Sequence, residues 1–405
     1  MRVVVSNPTR LHAHRHAYAL QKAGYLDRFL TSVWHKPKSF PYSYVEKLPK
    51  KIRRPIRAFL AKRSHLDLRE DKVKQFFGAE LYRLLMDVMP IGRSRDRMLL
   101  WQKLKYDRTI GRYIRKHKPD VFVGFEISCA KAFASAKDLG TITVLDLAGL
   151  EHDFSAGIRP EHAQVDEGLE AALRGQKKQE LSLADAIICV SDLARQSLEK
   201  AGVPESAITV IHLGLDHSIF NAKGRVWERA GKPFRICYAG NLSQAKGVDT
   251  LIEAFKKANI PNSELCLAGS GADISHEAFS HPNIKRLSFL NAKALADLFR
   301  DSDVFVLPTF LDSWGMVVPE AMACGLPVIT TDMCGASELI SAENGRIFTA
   351  GDTNALAQKI SDLYQSRHTL AVMGESAAKA VSILSWDAYN KNIKLFHERL
   401  ARVTQ

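Results

Sequence analysis

The sequence predicts an α/β fold made of two doubly wound domains, each built around a parallel sheet. The chain has 405 residues, which is more than one hydrophobic core normally organises. Short apolar runs alternate with helix-length segments from about residue 119 and again from Phe234, and this spacing is typical of parallel sheets covered by helices. A polar stretch at 221–232 separates the two alternations. We therefore predict a first domain at 1–221 and a second at 222–385.

The first domain begins with a buried strand at 2–6, a turn at 7–9 and a helix at 16–23. A regular alternation of strands and helices starts only at Pro119. From there the pattern predicts strands at 120–125, 141–146, 185–190 and 208–211, with helices at 128–139, 161–184 and 193–201 between them.

The second domain shows the alternation from its start. Pro319 suits the first turn of a short helix, and Gly325 closes that helix. The predicted strands are 234–240, 264–268, 284–287, 304–307 and 327–330. The other predicted helices are 248–258, 292–300, 354–365, 369–383 and 385–400.

The net charge of +13 is concentrated in one part of the first domain. Residues 46–115 hold 20 lysines and arginines against 8 aspartates and glutamates. Within them, 50–63 is a basic stretch with apolar residues such as Ile56 and Leu60 on one helical face. Two interpretations stay open: contact with an anionic membrane surface, or an ordinary surface helix packed on the domain. No nucleic-acid-reading motif accompanies the charge, so we do not expect a nucleic-acid partner.

The compartment is predicted from what the sequence lacks. No apolar run reaches the 18 or so residues of a membrane span, and the first strand is too short for the apolar region of a signal peptide. The six cysteines form no Cys-x-x-Cys pair, and three of them lie in apolar, strand-like runs. We expect buried, reduced thiols in a cytoplasmic protein.

Two carboxylates flank a loop of the second domain where a ligand would bind. Seven residues separate Asp312, after the strand at 304–307, from Glu320, in the first turn of the next helix. In open α/β sheets the crevice beyond the carboxyl ends of the strands binds ligands. A carboxylate there accepts hydrogen bonds from sugar or ribose hydroxyls. The backbone N–H groups around Ser313, Trp314 and Gly315 suit a phosphate.

This stretch resembles the signature of the family 4 glycosyltransferases, which are retaining enzymes of the GT-B fold. The family motif is an acidic residue, seven residues and a Glu, followed by Ala-Met-Ala-x-Gly-x-Pro-Val-Ile; Asp312 stands where the family usually has Glu. The loop from Gly240 to Gly247 resembles the family's Gly-Arg-Leu-x-x-x-Lys-Gly, with Asn241 in place of Arg and Lys246 retained. Gly269-Ser-Gly271 matches the family's turn near the nucleotide.

The resemblance also implies an architecture and an activity. Two Rossmann-like domains would face each other across a cleft, and the terminal helix, 386–405, would cross back to the first. A sugar would move, with retention, from a nucleotide-sugar such as a UDP- or GDP-sugar to an acceptor hydroxyl. No metal is expected: Asp301-Ser-Asp303 has the form of a metal motif, but in this family the position is structural.

Site roles follow from the same resemblance. The expected catalytic residues are Asp312, Lys246 and His152, with Asp146 in reserve for His152, and Glu338 is expected to line the pocket. The expected donor-binding residues are Gly240, Asn241, Lys246, Gly269, Gly271, Ser313, Trp314, Gly315, Met316, Val317 and Glu320.

The first βα loop departs from the family, because it lacks a glycine-rich sequence. It offers cationic and imidazole side chains, which we expect to face the acceptor or solvent. His12 and His16 are four residues apart, but no carboxylate or cysteine joins them in sequence, so a metal site is disfavoured. Arg10 or Arg15 would replace the phosphate partner lost at Asn241. The acceptor-side candidates are Arg10, His12, His14, Arg15 and His16.

We therefore expect a hexosyltransferase-type enzyme of polysaccharide biosynthesis. The basic segment suggests a lipid-linked or cell-envelope glycan as acceptor, used at the inner face of the cell membrane. Two alternatives stay open: a nucleotide-sugar epimerase of the same fold, and a non-catalytic module that binds a nucleotide-sugar. The departures at Asp312 and Asn241 keep the second of these open.

Overall fold

The chain forms two separate parallel sheets, of seven and six strands. A computed structural model describes residues 1–9, 12–34, 42–61, 67–76, 94–158, 166–227, 231–271 and 274–403. Every strand pair in both sheets is parallel, and helices connect most successive strands. The prediction of two doubly wound α/β domains is confirmed.

The first sheet has the strand order β3-β2-β1-β4-β5-β6-β7. The chain runs outward from β1 in one direction and then returns to build the other half, so a crevice opens at the carboxyl ends of β1 and β4. The strands are β1 Val3–Ser6, β2 Leu26–Thr31, β3 Val73–Gln75, β4 Val121–Phe125, β5 Ile142–Leu147, β6 Ala186–Cys189 and β7 Ile208–Val210.

Helices cover both faces of this sheet. Residues of β1 alternate between two apolar clusters, with Val3 and Val5 in one and Val4 in the other, because a central strand of a doubly wound sheet is buried on both sides. The helices are α1 Ala13–Lys22, α2 Lys50–Ala61, α3 Ser94–His117, α4 Ala130–Lys137, α5 His152–Gly157, α6 Glu167–Leu183 and α7 Asp192–Lys200.

The second sheet has the order β10-β9-β8-β11-β12-β13, with its own crevice between the ends of β8 and β11. Its strands are β8 Phe234–Ala239, β9 Ser263–Ala268, β10 Ile284–Leu287, β11 Val304–Leu307, β12 Val328–Thr331 and β13 Gly345–Phe348. Its helices are α8 Val248–Ala258, α9 Ala292–Arg300, α10 Val317–Ala323, α11 Thr353–Gln365 and α12 Leu370–Ala380.

The last helix, α13 Trp386–Val403, follows the second domain in sequence but packs on the first. It lies against α1, and its buried face contributes Tyr389, Ile393 and Phe396 to the core around Val3 and Val5. The terminal segment therefore links the two domains a second time.

The apolar side of the basic helix α2 is occupied. Leu60 is buried and Ile56 is partly buried against Val33 and Tyr42 of the first domain. For these residues the structure matches the interpretation of a packed surface helix. Other parts of the basic segment, 62–66 and 77–93, lie outside the described residues. No helix among the described residues is long and apolar enough to cross a membrane. All six cysteines are buried and unpaired, as expected.

Candidate active site

The carboxyl ends of the two sheets meet through one loop of the second domain. Ser313 donates its hydroxyl hydrogen bond to the carbonyl of Ala148, just after β5, at 2.7 Å. Ser191, which caps α7, donates in turn to the carbonyl of Ser313 at 2.6 Å. Leu311 packs against the core of the first domain. The loop that carries the acidic motif is therefore part of the contact between the domains.

Lys246 and Asp312 form an ion pair across the crevice of the second sheet. The Lys246 Nζ lies 2.7 Å from Asp312 Oδ2. Lys246 ends the turn after β8 and Asp312 follows β11, so the pair bridges the point where the strand order reverses. Gly247 brings this turn close to β11: its φ is +65°, and a Cβ there would lie 1.9 Å from the carbonyl oxygen of Pro308.

Gly315 allows the loop after Asp312 to turn sharply. Its φ is +78°, and a Cβ on it would lie 2.7 Å from Cys334 Sγ. Beyond the turn, the backbone N–H groups of Gly315, Met316 and Val317 have no hydrogen-bond partner among the described residues. Three adjacent unpaired N–H groups at the start of α10 can bind an anion.

Glu320 lies in the first turn of α10, and its side chain forms no hydrogen bond or ion pair with any described residue. Burial raises the pKa of Glu320 to about 7. A half-buried carboxyl without a partner is costly unless a ligand satisfies it. Its position therefore suits a group that donates hydrogen bonds, such as a pair of ribose hydroxyls.

A cavity of about 330 Å³ opens beside these groups, between the ends of β8 and β9 and the start of α10. A Cβ on Gly269 would lie 1.8 Å from the carbonyl oxygen of Gly240, so these glycines let two loops pack closely. Gly271 lines no part of this cavity; it lets the β9 loop lie on Leu242 instead. The cavity is lined by Ala239, Gly240, Asn241, Ala268, Gly269, Ser270, Phe289, Leu290, Leu295 and Val317.

The sequence reasoning missed Phe289, which is 73% exposed at the rim of this cavity. An aromatic ring left exposed at the mouth of a pocket is a natural surface on which a nucleobase stacks. The signal available in the sequence was weak: Phe289 is an apolar residue in the loop between β10 and α9, with no motif around it.

Trp314 and Glu338 connect the domains and lie outside the lining of this cavity. The Trp314 ring is buried and stacks on His212 of the first domain, with centroids 4.9 Å apart. Glu338 Oε1 lies 2.5 Å from His212 Nε2, and its other oxygen accepts the N–H of Asp192 at 2.8 Å. Glu338 thus caps α7 from the other domain.

His152 starts α5 and is buried within the first domain. Its Nε2 lies 2.9 Å from Glu170 Oε1 on α6. The reserve candidate, Asp146, is at the end of β5 and is completely buried. Its two carboxylate oxygens each lie 2.7 Å from a ring nitrogen, one of His12 and one of His16.

The first-loop histidines were expected to face the acceptor or solvent, and exposure to solvent is wrong for His14 and His16. His14 is buried against Phe29 and Trp34, and His16 is sealed between Asp146 and the terminal helix. His14 is buried because its side of α1 faces β2 and the residues after it, and His16 is buried because α13 covers α1. His12 is partly buried on Asp146.

Of the two arginines in this loop, the structure describes one. The guanidinium of Arg15 lies 4.2 Å from the ring centroid of Trp386 in α13, so Arg15 contacts the terminal helix. Arg10 lies outside the described residues. The replacement of the lost phosphate partner by either arginine stays a prediction.

The carboxylates of the Asp301-Ser-Asp303 stretch bind an arginine. Asp303 Oδ2 accepts the backbone N–H of Arg235 at 2.8 Å, and Asp301 forms an ion pair with the Arg235 side chain. These contacts join the start of β11 to β8, at the edge of the sheet opposite the crevice. No cluster of three or more metal-binding side chains occurs within the described ranges.

Two family models match consecutive parts of the chain. Residues 75–219 match the glycosyltransferase family 4 domain, and residues 221–380 match the domain of the glycosyl transferases group 1. The junction between the two matches lies at the predicted domain boundary.

Among curated proteins, the chain is 27% identical to a D-inositol 3-phosphate glycosyltransferase of Paenarthrobacter aurescens, over 58% of this chain and 60% of that protein. It is 28% identical to the capsular polysaccharide biosynthesis glycosyltransferase CapM of Staphylococcus aureus, over 49% and 57%. The matched region spans about half to 60% of the length of these relatives.

Solved structures with the same fold cover the whole chain. Sucrose-phosphate synthase from Thermosynechococcus elongatus superposes with a TM-score of 0.70 at 18% identity, covering 100% of both chains. The Anabaena protein Alr3699/HepE in complex with UDP gives a TM-score of 0.65 at 17% identity, covering 99% of this chain and 100% of that one. With both halves matched in order and the acidic motif at the interdomain crevice, the chain belongs to the family 4 glycosyltransferases of GT-B fold.

Proposed function

We propose that this protein is a retaining glycosyltransferase that moves a sugar from a nucleotide-sugar to a hydroxyl of a lipid-linked or cell-envelope glycan. One observation carries the proposal. The segment after β11 carries Asp312 in an ion pair with Lys246, the unpaired N–H groups of 315–317 and the open carboxyl of Glu320, and Ser313 of that segment contacts the first domain. A sugar diphosphate requires a cation and N–H donors for its phosphates, and carboxylates that accept hydrogen bonds from its hydroxyls.

The leaving diphosphate gains negative charge as the bond to the sugar breaks. Lys246 and the N–H groups of Gly315, Met316 and Val317 stabilise that charge at the position where it develops. Asp312 keeps Lys246 in place before the donor arrives and then accepts hydrogen bonds from the sugar hydroxyls. The donor-bound cleft excludes water, which favours transfer over hydrolysis.

Glu320 and the cavity beside it are assigned to the nucleoside. Glu320 accepts the ribose hydroxyls, and Phe289 flanks the base at the rim of the cavity. The structure of the Anabaena protein Alr3699/HepE contains UDP, and this supports a UDP-sugar as the first donor to test, with GDP-sugars next. No residue of this scheme requires a metal ion.

The acceptor side is supported by charge and by the names of relatives. CapM is named for capsular polysaccharide biosynthesis, and the protein of Paenarthrobacter aurescens for inositol 3-phosphate, so anionic and envelope acceptors are the first to test. The exposed lysines of α2, Lys50 and Lys51, suit peripheral contact with an anionic membrane face. We expect Lys50→Glu with Lys51→Glu to reduce sedimentation with phosphatidylserine vesicles. Unchanged sedimentation would refute the membrane contact.

The test of the activity is a panel of nucleotide-sugars screened by thermal shift, followed by donor turnover with candidate acceptors. The wild type is expected to transfer sugar and to keep the anomeric configuration of the donor, read by proton NMR of the product. Lys246→Ala and Glu320→Ala are expected to lose turnover at unchanged fold. Donor binding without any turnover would instead indicate a non-catalytic module, and donor isomerisation without acceptor would indicate an epimerase.

A further inference from the structure

We propose that the His12–Asp146 pair is the acceptor-side general base, in which His12 Nδ1 takes the proton of the attacking hydroxyl. The inference deepens the proposed transferase function and rests on it. It assigns a reacting role to a first-domain side chain for which the sequence alone suggested only a general acceptor-side position.

The carboxylate of Asp146 is ionised. It is completely buried, and both oxygens are engaged, with His12 Nε2 and His16 Nδ1 each at 2.7 Å. Burial alone would raise the pKa of Asp146, but the charge and hydrogen bond of His12, together with the bond from His16, hold that pKa below its usual value.

An ionised carboxylate can only accept hydrogen bonds, so it fixes the tautomer of His12. Nε2 of the ring donates to Asp146, so Nδ1 is the nitrogen that remains to exchange a proton with a substrate. Nδ1 has no hydrogen-bond partner among the described residues, and it is not sealed from solvent as His397 Nδ1 is. An imidazole oriented by a carboxylate, with its other nitrogen open, is the arrangement of a general base.

The neighbouring histidines have no nitrogen to offer a substrate. His16 uses both ring nitrogens, one toward Asp146 and the other 3.2 Å from His397 Nε2. Burial and the nearby His16 hold the pKa of His397 well below its usual value, so that ring is neutral. His397 contacts His16, and His16 holds Asp146 on the side away from His12. Of His12, His16 and His397, only His12 is therefore placed to react.

The pair lies in the crevice of the first sheet. His12 precedes α1, and Asp146 is the second-last residue of β5. The His12 ring packs on Phe125 at the end of β4, with centroids 5.3 Å apart. Asp146 is two residues from Ala148, a backbone reach of at most about 7 Å. Because Ala148 is bonded to Ser313, next to Asp312, the two crevices face the same domain contact.

A second unpaired group lies at the same edge. Asn7 follows β1 and is buried, and its Nδ2 has no partner among the described residues, whereas its Oδ1 accepts two hydrogen bonds from Thr9. A buried amide donor left open is rare and indicates a missing partner. An acceptor hydroxyl or ring oxygen beside His12 would supply it.

The step balances without any further reagent. The acceptor oxygen forms a bond to the anomeric carbon on the face from which the diphosphate departs, as retention requires in a single step. The bond from that carbon to the diphosphate oxygen breaks, and its electron pair leaves with the diphosphate. The hydroxyl proton passes to His12 Nδ1 and then to water. Asp146 stays ionised and stabilises the imidazolium that forms. The competing route sends the proton to a diphosphate oxygen and needs no histidine.

His12→Ala distinguishes the two routes. We expect kcat for transfer to fall about 10²- to 10⁴-fold, which is the usual range for a lost general base, with donor affinity unchanged. The melting temperature should fall as well, because the buried carboxylate of Asp146 loses one of its two partners. Added imidazole should restore part of the lost kcat, an effect that a structural defect would not show. Asp146→Asn should also lower kcat, because an amide favours the wrong tautomer. The control is His281→Ala. His281 packs on Phe255 in the second domain, before β10, and this variant should transfer sugar at the wild-type rate.

The outcomes separate this inference from the function it rests on. A wild type that transfers sugar while His12→Ala keeps kcat within about threefold overturns the general base and leaves the transferase intact. A reduced kcat that imidazole does not rescue also overturns it, because the effect of removing His12 is then structural. A wild type that transfers no sugar overturns the proposed function and this inference together.

Discussion

The carboxyl of Glu320 shows how one side chain can be poised for a ligand. It lies at the start of a helix, where the positive end of the helix dipole favours a negative charge. Burial nevertheless raises its pKa to about 7, because no described residue donates a hydrogen bond to it. The site therefore holds a group that becomes fully ionised only above neutral pH or on donor binding.

Donor affinity should depend on pH through Glu320. Ribose hydroxyls donate to a carboxylate more strongly than to a carboxylic acid. The dissociation constant for the nucleotide should therefore decrease as pH rises from 6 to 8. Glu320→Gln stays neutral and should bind more weakly at pH 8 without that dependence. Calorimetric titration at three pH values checks this, and an equal pH slope in both proteins would contradict it.

Stability should depend on the same group with the opposite sense. The folded pKa, about 7, lies above the usual 4.5, so the ligand-free folded state holds the proton more tightly than the unfolded state does. Stability is therefore lost as pH rises from about 4.5 to about 7. The melting temperature of Glu320→Gln should exceed that of wild type by more at pH 8 than at pH 5. A constant difference between the two pH values would show that Glu320 titrates normally.

At the scale of the element, the loop between β11 and α10 depends on Gly315. A side chain there meets Cys334 Sγ at 2.7 Å and must adopt a φ of +78°, which L-residues rarely do. The N–H groups of 315–317, which have no partner among the described residues, belong to the same turn. Fold and site therefore share one backbone conformation, and a change that strains it should affect both.

Gly315→Ala should lower stability by about 1–3 kcal/mol and also lower donor affinity, because the loop can relieve the strain only by moving. Gly175 is the matched control. It lies inside α6, and a Cβ added to it would meet no atom within 4 Å, so Gly175→Ala should leave affinity unchanged and raise stability slightly. Urea unfolding and calorimetry measure both effects. Unchanged donor affinity in Gly315→Ala would contradict the prediction that the turn at Gly315 determines donor binding by the N–H groups of 315–317.

At the scale of the whole molecule, the domains are joined by polar contacts that involve the loop between β11 and α10. We assign the donor to this loop and call it the donor loop. Glu338 caps α7 and pairs with His212, His212 stacks on Trp314, and Ser191 holds the carbonyl of Ser313. Closure of the cleft and the shape of the donor loop should therefore be coupled, because the same residues determine both.

Glu338→Ala should loosen this contact and weaken donor binding although Glu338 lies outside the donor cavity. The helix cap on α7 is lost, and His212 loses its carboxylate partner beside Trp314. Small-angle scattering should report a larger radius of gyration than for wild type. Glu343→Ala removes an equal charge from an exposed position and should change neither value. An unchanged radius with normal donor binding would rule out the coupling.

The sequence predicted the second domain well because its alternation is regular and its motif is long. Lys246 and Asp312 are 66 residues apart, yet the resemblance to two family motifs assigned them to one site, and both follow strands that flank the point where the strand order reverses. Phe289, at the rim of the cavity, was missed because it is an isolated aromatic residue and no sequence motif surrounds it.

The first domain was harder to predict because its contacts are distant in sequence. β2, β3 and α3 fall between the predicted first helix and Pro119, where charge obscures the apolar periodicity. The environment of His12, His16 and Asp146 depends on His397, 381 residues from His16, and no pattern within the first 20 residues reveals that α13 covers them.

The most direct test of the central claim is calorimetric titration of Lys246→Ala with UDP, or with the donor nucleotide that the screen selects. A charge-assisted hydrogen bond contributes about 1.5–3 kcal/mol, so the loss of Lys246 should weaken binding at least about tenfold, and Asp312, then unpaired, should repel the diphosphate further. Lys293→Ala, an exposed change of the same charge, should bind as wild type does. Equal affinity of Lys246→Ala and wild type would contradict the placement of the diphosphate in this crevice.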